Sequence, residues 1–266
     1  MFKTRLLSGI VLVAVALVLI ITGGEVLLGG ILFISLIGLF EFYRVFHIEK
    51  AVVGFIGYIT AVVYFALVYK GLNDFILPLF IVFFLVLLLF FVLQYPKYKT
   101  DEIMATFFGV FYVPVMLSYI YQTREIGDRG AYLVWLIFLC SWGCDTCAYC
   151  VGVLFGKHKM APVLSPKKSV EGAVGGVLGA ALLTALYSYI FQAKMAVSSK
   201  EIILLCLGAC VGAIISMVGD LAASAIKRNY DIKDYGKLIP GHGGILDRFD
   251  SVIITAPIIF YLGGFI

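Results

Sequence analysis

The chain is 266 residues long, 62% hydrophobic and 14% charged, with a mean hydropathy of +1.07. Water-soluble domains are nearer half apolar and a quarter charged, so these figures exclude an ordinary soluble enzyme and make the bilayer the solvent for most of the chain. A net charge of +4 is too small to argue for nucleic acid, and it fits the basic bias of cytoplasmic loops in membrane proteins.

Along the chain, Met1 to Arg5 lead into an apolar run that reaches Ile21 and then Gly23-Gly24-Glu25, with no small-x-small cleavage site. It reads as a first membrane helix rather than a signal peptide. Stretches able to cross roughly 30 Å of hydrocarbon recur at 6–22, 26–43, 52–69, 75–94, 104–121, 130–155, 171–191, 201–228 and 249–266. The expected fold is therefore all-α and polytopic, with about nine transmembrane helices. Gly29-Gly30 and Gly54 dilute the second and third, so eight helices with one re-entrant segment fit as well.

With the N-terminus cytoplasmic, fifteen of the twenty Lys and Arg residues fall on that side, which is the arrangement basic residues impose. The two most polar loops, about 156–170 and 229–248, then share the cytoplasmic face, where nucleotide is available. Helices before residue 125 are almost purely apolar, whereas ionisable and small residues enter the helices from residue 140 onward. The chain divides on this reading into a scaffold, 1–125, and a catalytic transmembrane part, 126–266.

Asp145 lies within an apolar helix, with Ser141 and Tyr149 at i−4 and i+4 and so on one face. A carboxylate at that depth costs several kcal/mol unless it meets a partner or a wet cavity; an interhelical hydrogen bond and a cavity-lining acid both satisfy this. A later helix carries Gly208, Gly212, Ser216, Asp220, Ser224 and Arg228 in one row. Lys227 and Arg228 could complement the helix dipole, but Asp220, two turns deeper, needs a cation or a proton.

The loop that follows holds Lys233, Lys237, His242 between glycines (Gly241, Gly243, Gly244), then Asp247, Arg248 and Asp250. Such glycines let backbone N–H groups turn toward an anion. Asp250 by itself could be a helix N-cap. Carboxylates beside several cations suit Mg²⁺ and phosphate respectively, the division of labour of phosphoryl-type transfer. The other loop offers Lys167, Lys168 and Ser169 before a helix start, an anion-binding corner or a positive-inside anchor. Cys140, Cys144, Cys147 and Cys150 have iron–sulfur-like spacing, but within one apolar helix they read as small packing residues.

Ser224, Lys227-Arg228, Lys233-Asp234, Gly236, His242-Gly243-Gly244, Asp247-Arg248 and Asp250 together resemble the signature of the phosphatidate cytidylyltransferase family. The stretches Asp145-Thr146, Ala148-Tyr149 and Ser165 to Gly172 are similar to it too. The resemblance implies transfer of a cytidylyl group from CTP to phosphatidate with Mg²⁺, giving CDP-diacylglycerol and pyrophosphate for phospholipid biosynthesis. It implies Asp220 and Asp247 as metal ligands, assisted by Asp145 or Asp250, and Lys167, Lys168, Lys227, Arg228, Lys237 and Arg248 as phosphate-neutralising groups. His242, Gly243 and Gly244 would shape the pocket, and Ser169, Ser224, Lys233 and Tyr149 would touch substrate. The expected setting is the inner membrane with the site facing the cytoplasm, and the glycine-rich seventh helix is compatible with a homodimer. A CTP-dependent dolichol-type kinase and a cation- or proton-coupled transporter are the alternatives.

Overall fold

A computed structural model of the chain describes residues 2–241 and 243–265, with side chains from Ser8 onward. Its order is α1 (Phe2–Thr22), α2 (Gly24–Val45), α3 (Val52–Tyr69), α4 (Ile76–Leu93), α5 (Thr100–Val110), α6 (Met116–Arg124), α7 (Gly130–Phe138) and α8 (Cys144–Phe155). Two strands follow, β1 (Lys159–Ala161) and β2 (Ser165–Ser169), then α9 (Val170–Ile190), α10 (Gln192–Met195), α11 (Ser199–Asn229) and α12 (Leu246–Phe265). Short π-helical segments, Phe111–Val115 and Leu139–Gly143, join α5 to α6 and α7 to α8. Among the described residues eight helical stretches are long and apolar enough to cross a membrane, and Ser8–Thr22 is a shorter apolar helix. The chain is thus a multi-pass helical membrane protein, close to the nine-helix expectation.

The fold separates into two compact units, Met1–Ser118 with Asp234–Asp247, and Tyr119–Lys233 with Arg248–Ile266. The segment 234–247, grouped by sequence with the C-terminal part, is thus folded with the N-terminal helices.

In the first unit, small residues bring helices close enough for aromatic packing, which replaces the hydrophobic drive that lipid cannot supply. The Tyr43 ring lies where side chains at Gly57 and Gly109 would stand. Its hydroxyl donates to the Thr106 carbonyl at 2.7 Å, and the Tyr64 and Ser118 hydroxyls pair at 2.9 Å. Helix α4 buries only Phe83 and Leu87, leaving a surface that lipid can solvate.

In the second unit α8 packs along α9 through glycines. A methyl group at Gly172 would meet the Ala148 carbonyl at 2.7 Å, and one at Gly179 would meet Cys147 Sγ at 2.5 Å. The glycine face of α9 is thus used within the chain, and Cys144 and Cys147 belong to that packing. Helix α11, with 31 residues, spans about 46 Å at 1.5 Å per residue, more than the hydrocarbon thickness, so its ends reach past the hydrocarbon. Its start is capped by Ser198, whose Oγ accepts from the Glu201 N–H at 3.3 Å. Residues 157–169, expected as an open loop, form an antiparallel hairpin with Lys159 opposite Ser169 and Ala161 opposite Ser165.

Candidate active site

The second unit contains a cavity of about 760 Å³ whose walls come from α8, the hairpin, the start of α9, the middle of α11 and the first turn of α12. Asp145, Tyr149, Lys167, Lys168, Ser169, Asp220 and Arg248 line it, with Lys159, Met160 and Met217 beside them. Seven residues expected at the site from sequence are therefore brought together on one concave surface.

Each side chain is aimed by a local device. Asp145 follows the π segment Leu139–Gly143, whose i→i+5 bonding advances the helix by about one extra residue per turn. That slip breaks the i, i+4 phase expected from sequence. Ser141 is fully buried and donates its hydroxyl to the Ile137 carbonyl at 2.7 Å, whereas Asp145 and Tyr149 face the cavity. The Asp145 carboxylate accepts from the Ser251 hydroxyl at 3.2 Å. Across the cavity Lys168 and Asp220 form an ion pair between β2 and α11. The Trp142 indole N–H donates to the Arg248 carbonyl at 3.2 Å and ties α12 to the π segment.

The hairpin is fastened at both feet. Ser169 is the N-cap of α9, its Oγ accepting from the Gly172 N–H at 3.1 Å, so this substrate-contact candidate also carries a structural role. Glu171 in the first turn of α9 accepts from the Lys157 N–H at 3.0 Å and from His158 Nδ1 at 2.6 Å. This double clamp sets the angle at which Lys167 and Lys168 reach the cavity.

Other expected residues of this unit stand elsewhere. Lys227 is buried and lies within electrostatic reach of Asp250. Arg228 is exposed and donates from Nη1 to the Ile232 carbonyl at 3.2 Å; Lys233 is exposed and Ser224 half-buried. Asp250 is buried and accepts from the Ser251 N–H at 2.8 Å. Helix α12 begins at Leu246, so Asp250 is inside the helix and not its N-cap.

Asp247, Lys237, Gly243 and Gly244 belong to the first unit, where 234–247 is folded around two carboxylates. Asp247 Oδ2 accepts from the N–H groups of Tyr235 at 2.8 Å and Gly244 at 2.9 Å, with Gly236 at 3.4 Å. Glu41 of α2, 3% exposed, accepts from Ile245 N–H at 3.1 Å and Leu246 N–H at 2.9 Å. Arg44, one turn further along α2, donates to the Tyr235 carbonyl. Lys237 is exposed, and His242 lies outside the described residues. Glu41 and Ser251 were not singled out by sequence; a lone acid in an apolar run was the available signal for Glu41.

A cavity of a multi-pass membrane protein that sets two carboxylates among three lysines and an arginine has the charge to suit anionic, phosphate-bearing molecules, as in a membrane enzyme that handles them. Residues 3–266 match the model of the cytidylyltransferase family, to which the chain belongs. It is 31% identical to a phosphatidate cytidylyltransferase of Bacillus subtilis, over 98% of this chain and 97% of that one. A Staphylococcus saprophyticus protein of the same name is 31% identical over 97% of both chains, and one from Rickettsia felis is 40% identical over 58% of this chain and 68% of its own.

Proposed function

We propose that the chain transfers the cytidylyl group of CTP to phosphatidate, releasing pyrophosphate and forming CDP-diacylglycerol. Family membership supports the reaction. The observation that carries the site is the facing of Asp145 and Asp220 with Lys167, Lys168 and Arg248 around one cavity.

In this reaction a phosphate oxygen of the lipid forms a bond to the α-phosphorus of CTP while the bond to the β,γ-pyrophosphate breaks. The nucleophile is already anionic near neutral pH, so the barrier is dominated by bringing two anions together and stabilising the leaving group. Lys167 and Arg248 neutralise phosphate oxygens at the wall. Lys168, held by Asp220, is oriented before substrate arrives. Ser251 fixes one oxygen of Asp145 and leaves the other for the cavity.

Among the described residues no three Asp, Glu, His or Cys side chains converge as a protein cage for a metal. Mg²⁺ seldom uses such a cage: it takes one or two carboxylates and completes its shell with water and substrate phosphates. Asp145 and Asp220 meet that requirement, and when bound there the ion would neutralise charge on the phosphates and the departing pyrophosphate. Asp250, Asp247, Lys227, Arg228, Lys233, Lys237, Ser224, Tyr149 and His242 remain proposed contributors on the strength of the family signature. We further propose an inner-membrane location with the cavity mouth on the cytoplasmic side, supported by the basic bias of the 156–170 and 229–248 segments; the glycine face of α9, which was compatible with a homodimer, is taken up by α8 and lends a dimer no support.

Purified protein in detergent, given labelled CTP, phosphatidate and Mg²⁺, should yield CDP-lipid and pyrophosphate in equal amounts. Release of CDP with a phosphorylated lipid alcohol would point to the kinase instead, and neither product would refute the proposal.

A further inference from the structure

The hairpin between α8 and α9 carries more than its cavity lysines. Five consecutive apolar residues, Met160-Ala161-Pro162-Val163-Leu164, form its tip, bracketed by Lys157-His158-Lys159 before and Lys167-Lys168 after. Val163 is 85% exposed and Pro162 is exposed. A single exposed valine is ordinary on a protein surface. This one sits at the end of an apolar run with its polar residues at the base, the reverse of the usual order for a solvated turn.

The location of its feet gives that order a meaning. Helix α8 ends at Phe155 and α9 begins at Val170, both membrane-crossing segments whose residues next to the hairpin are exposed and apolar: Leu154 72%, Phe155 64%, Val170 45%. The whole hairpin thus joins the adjacent ends of two helices long and apolar enough to cross the membrane. An apolar tip with cations around its base matches the interface in both respects, acyl chain for the tip and lipid phosphate for the lysines. The same hairpin forms one wall of the cavity through Lys159, Met160, Lys167 and Lys168.

We infer that the 159–169 hairpin is a lip seated in the membrane interface, whose tip enters the acyl region and whose basic base gathers anionic lipid phosphate at the cavity wall. The occupant is the surface of the surrounding bilayer, acyl chains against the tip and anionic lipid phosphates against the lysines. The lip rests on the proposed function for its role in turnover, but its seating does not.

Two measurements test it. A V163W variant in phosphatidylcholine–phosphatidate vesicles is compared with the parent chain, whose own tryptophans are Trp135 and Trp142. The excess emission of the variant should be quenched by lipids brominated near the headgroup and be unaffected by aqueous iodide. Quenching by iodide but not by bromolipid would overturn the inference. In kinetics, V163D should raise the apparent KM for vesicle phosphatidate about tenfold, the worth of one buried valine side chain, with the KM for CTP unchanged. An unaltered lipid KM, or an equal change in both constants, would also overturn it. If the parent chain makes no CDP-lipid at all, the proposed reaction fails, while the quenching result still decides the position of the lip.

Discussion

Glu41 and Leu246 are 205 residues apart, yet the carboxylate of the first accepts the backbone N–H of the second at 2.9 Å. The same carboxylate takes the Ile245 N–H, so two donors at the entry to α12 end on one buried acid. The positive end of a helix and an anion stabilise each other, and here the anion comes from a distant helix.

Glu41→Ala should therefore destabilise the protein by about 3 kcal/mol, since two buried donors lose a charged acceptor. Glu41→Gln, which keeps one carbonyl oxygen, should cost less. Thermal unfolding in detergent would rank the three proteins, and an alanine variant as stable as the parent would remove Glu41 from this role.

The backbone around that acid leaves no room for a methyl group. A Cβ at Gly236 or Gly244 would fall on the Glu41 carboxylate. Either glycine changed to alanine should lower the melting temperature, and combining it with Glu41→Ala should restore part of the loss, the sign of a shared contact.

Asp145→Asn and Asp220→Asn should each lower turnover by about a hundredfold or more, in the range of losing one preorganised electrostatic group. Both should also weaken the Mg²⁺ dependence. Retention of the parental Mg²⁺ titration and rate by either variant would count against the assignment. Lys168→Gln should lose less in an Asp220→Asn background than alone, because the two side chains pair.

Ser251 is a milder case. Its hydroxyl orients Asp145 at 3.2 Å, and Ser251→Ala should reduce kcat/KM by about three- to tenfold, the value of one hydrogen bond. A loss as deep as that of Asp145→Asn would mean that Ser251 itself touches substrate.

The spans were readable because hydropathy reports what lipid will accept, and α4 with its run of Leu, Ile, Val and Phe is the plainest case. The acids of the cavity were readable for the same reason inverted, since Asp145 and Asp220 interrupt apolar helices. The hairpin was not: Ser165-Pro166-Lys167-Lys168-Ser169 has no apolar alternation, and its pairing is set by the clamp from Glu171. An N-cap stayed open as one reading of Asp250 because the glycine-rich segment before it hides the true start of α12 at Leu246. Glu41 was overlooked beside Arg44 at a helix end, where charges usually meet headgroups. Its partners are backbone groups, which leave no mark in a sequence.

The π segment at Leu139–Gly143 makes the α7–α8 span two helices in different phase on one axis. Within it, Cys140 and Ser141 answer to the interior; downstream, Asp145 and Tyr149 answer to the cavity. Removing one residue there would regularise the span and turn everything beyond it by about 100°, carrying the acid off the wall without altering its identity. The direction of Asp145 is therefore held by a count of residues as much as by any side chain, and a length change at this point would silence the site where many substitutions would not.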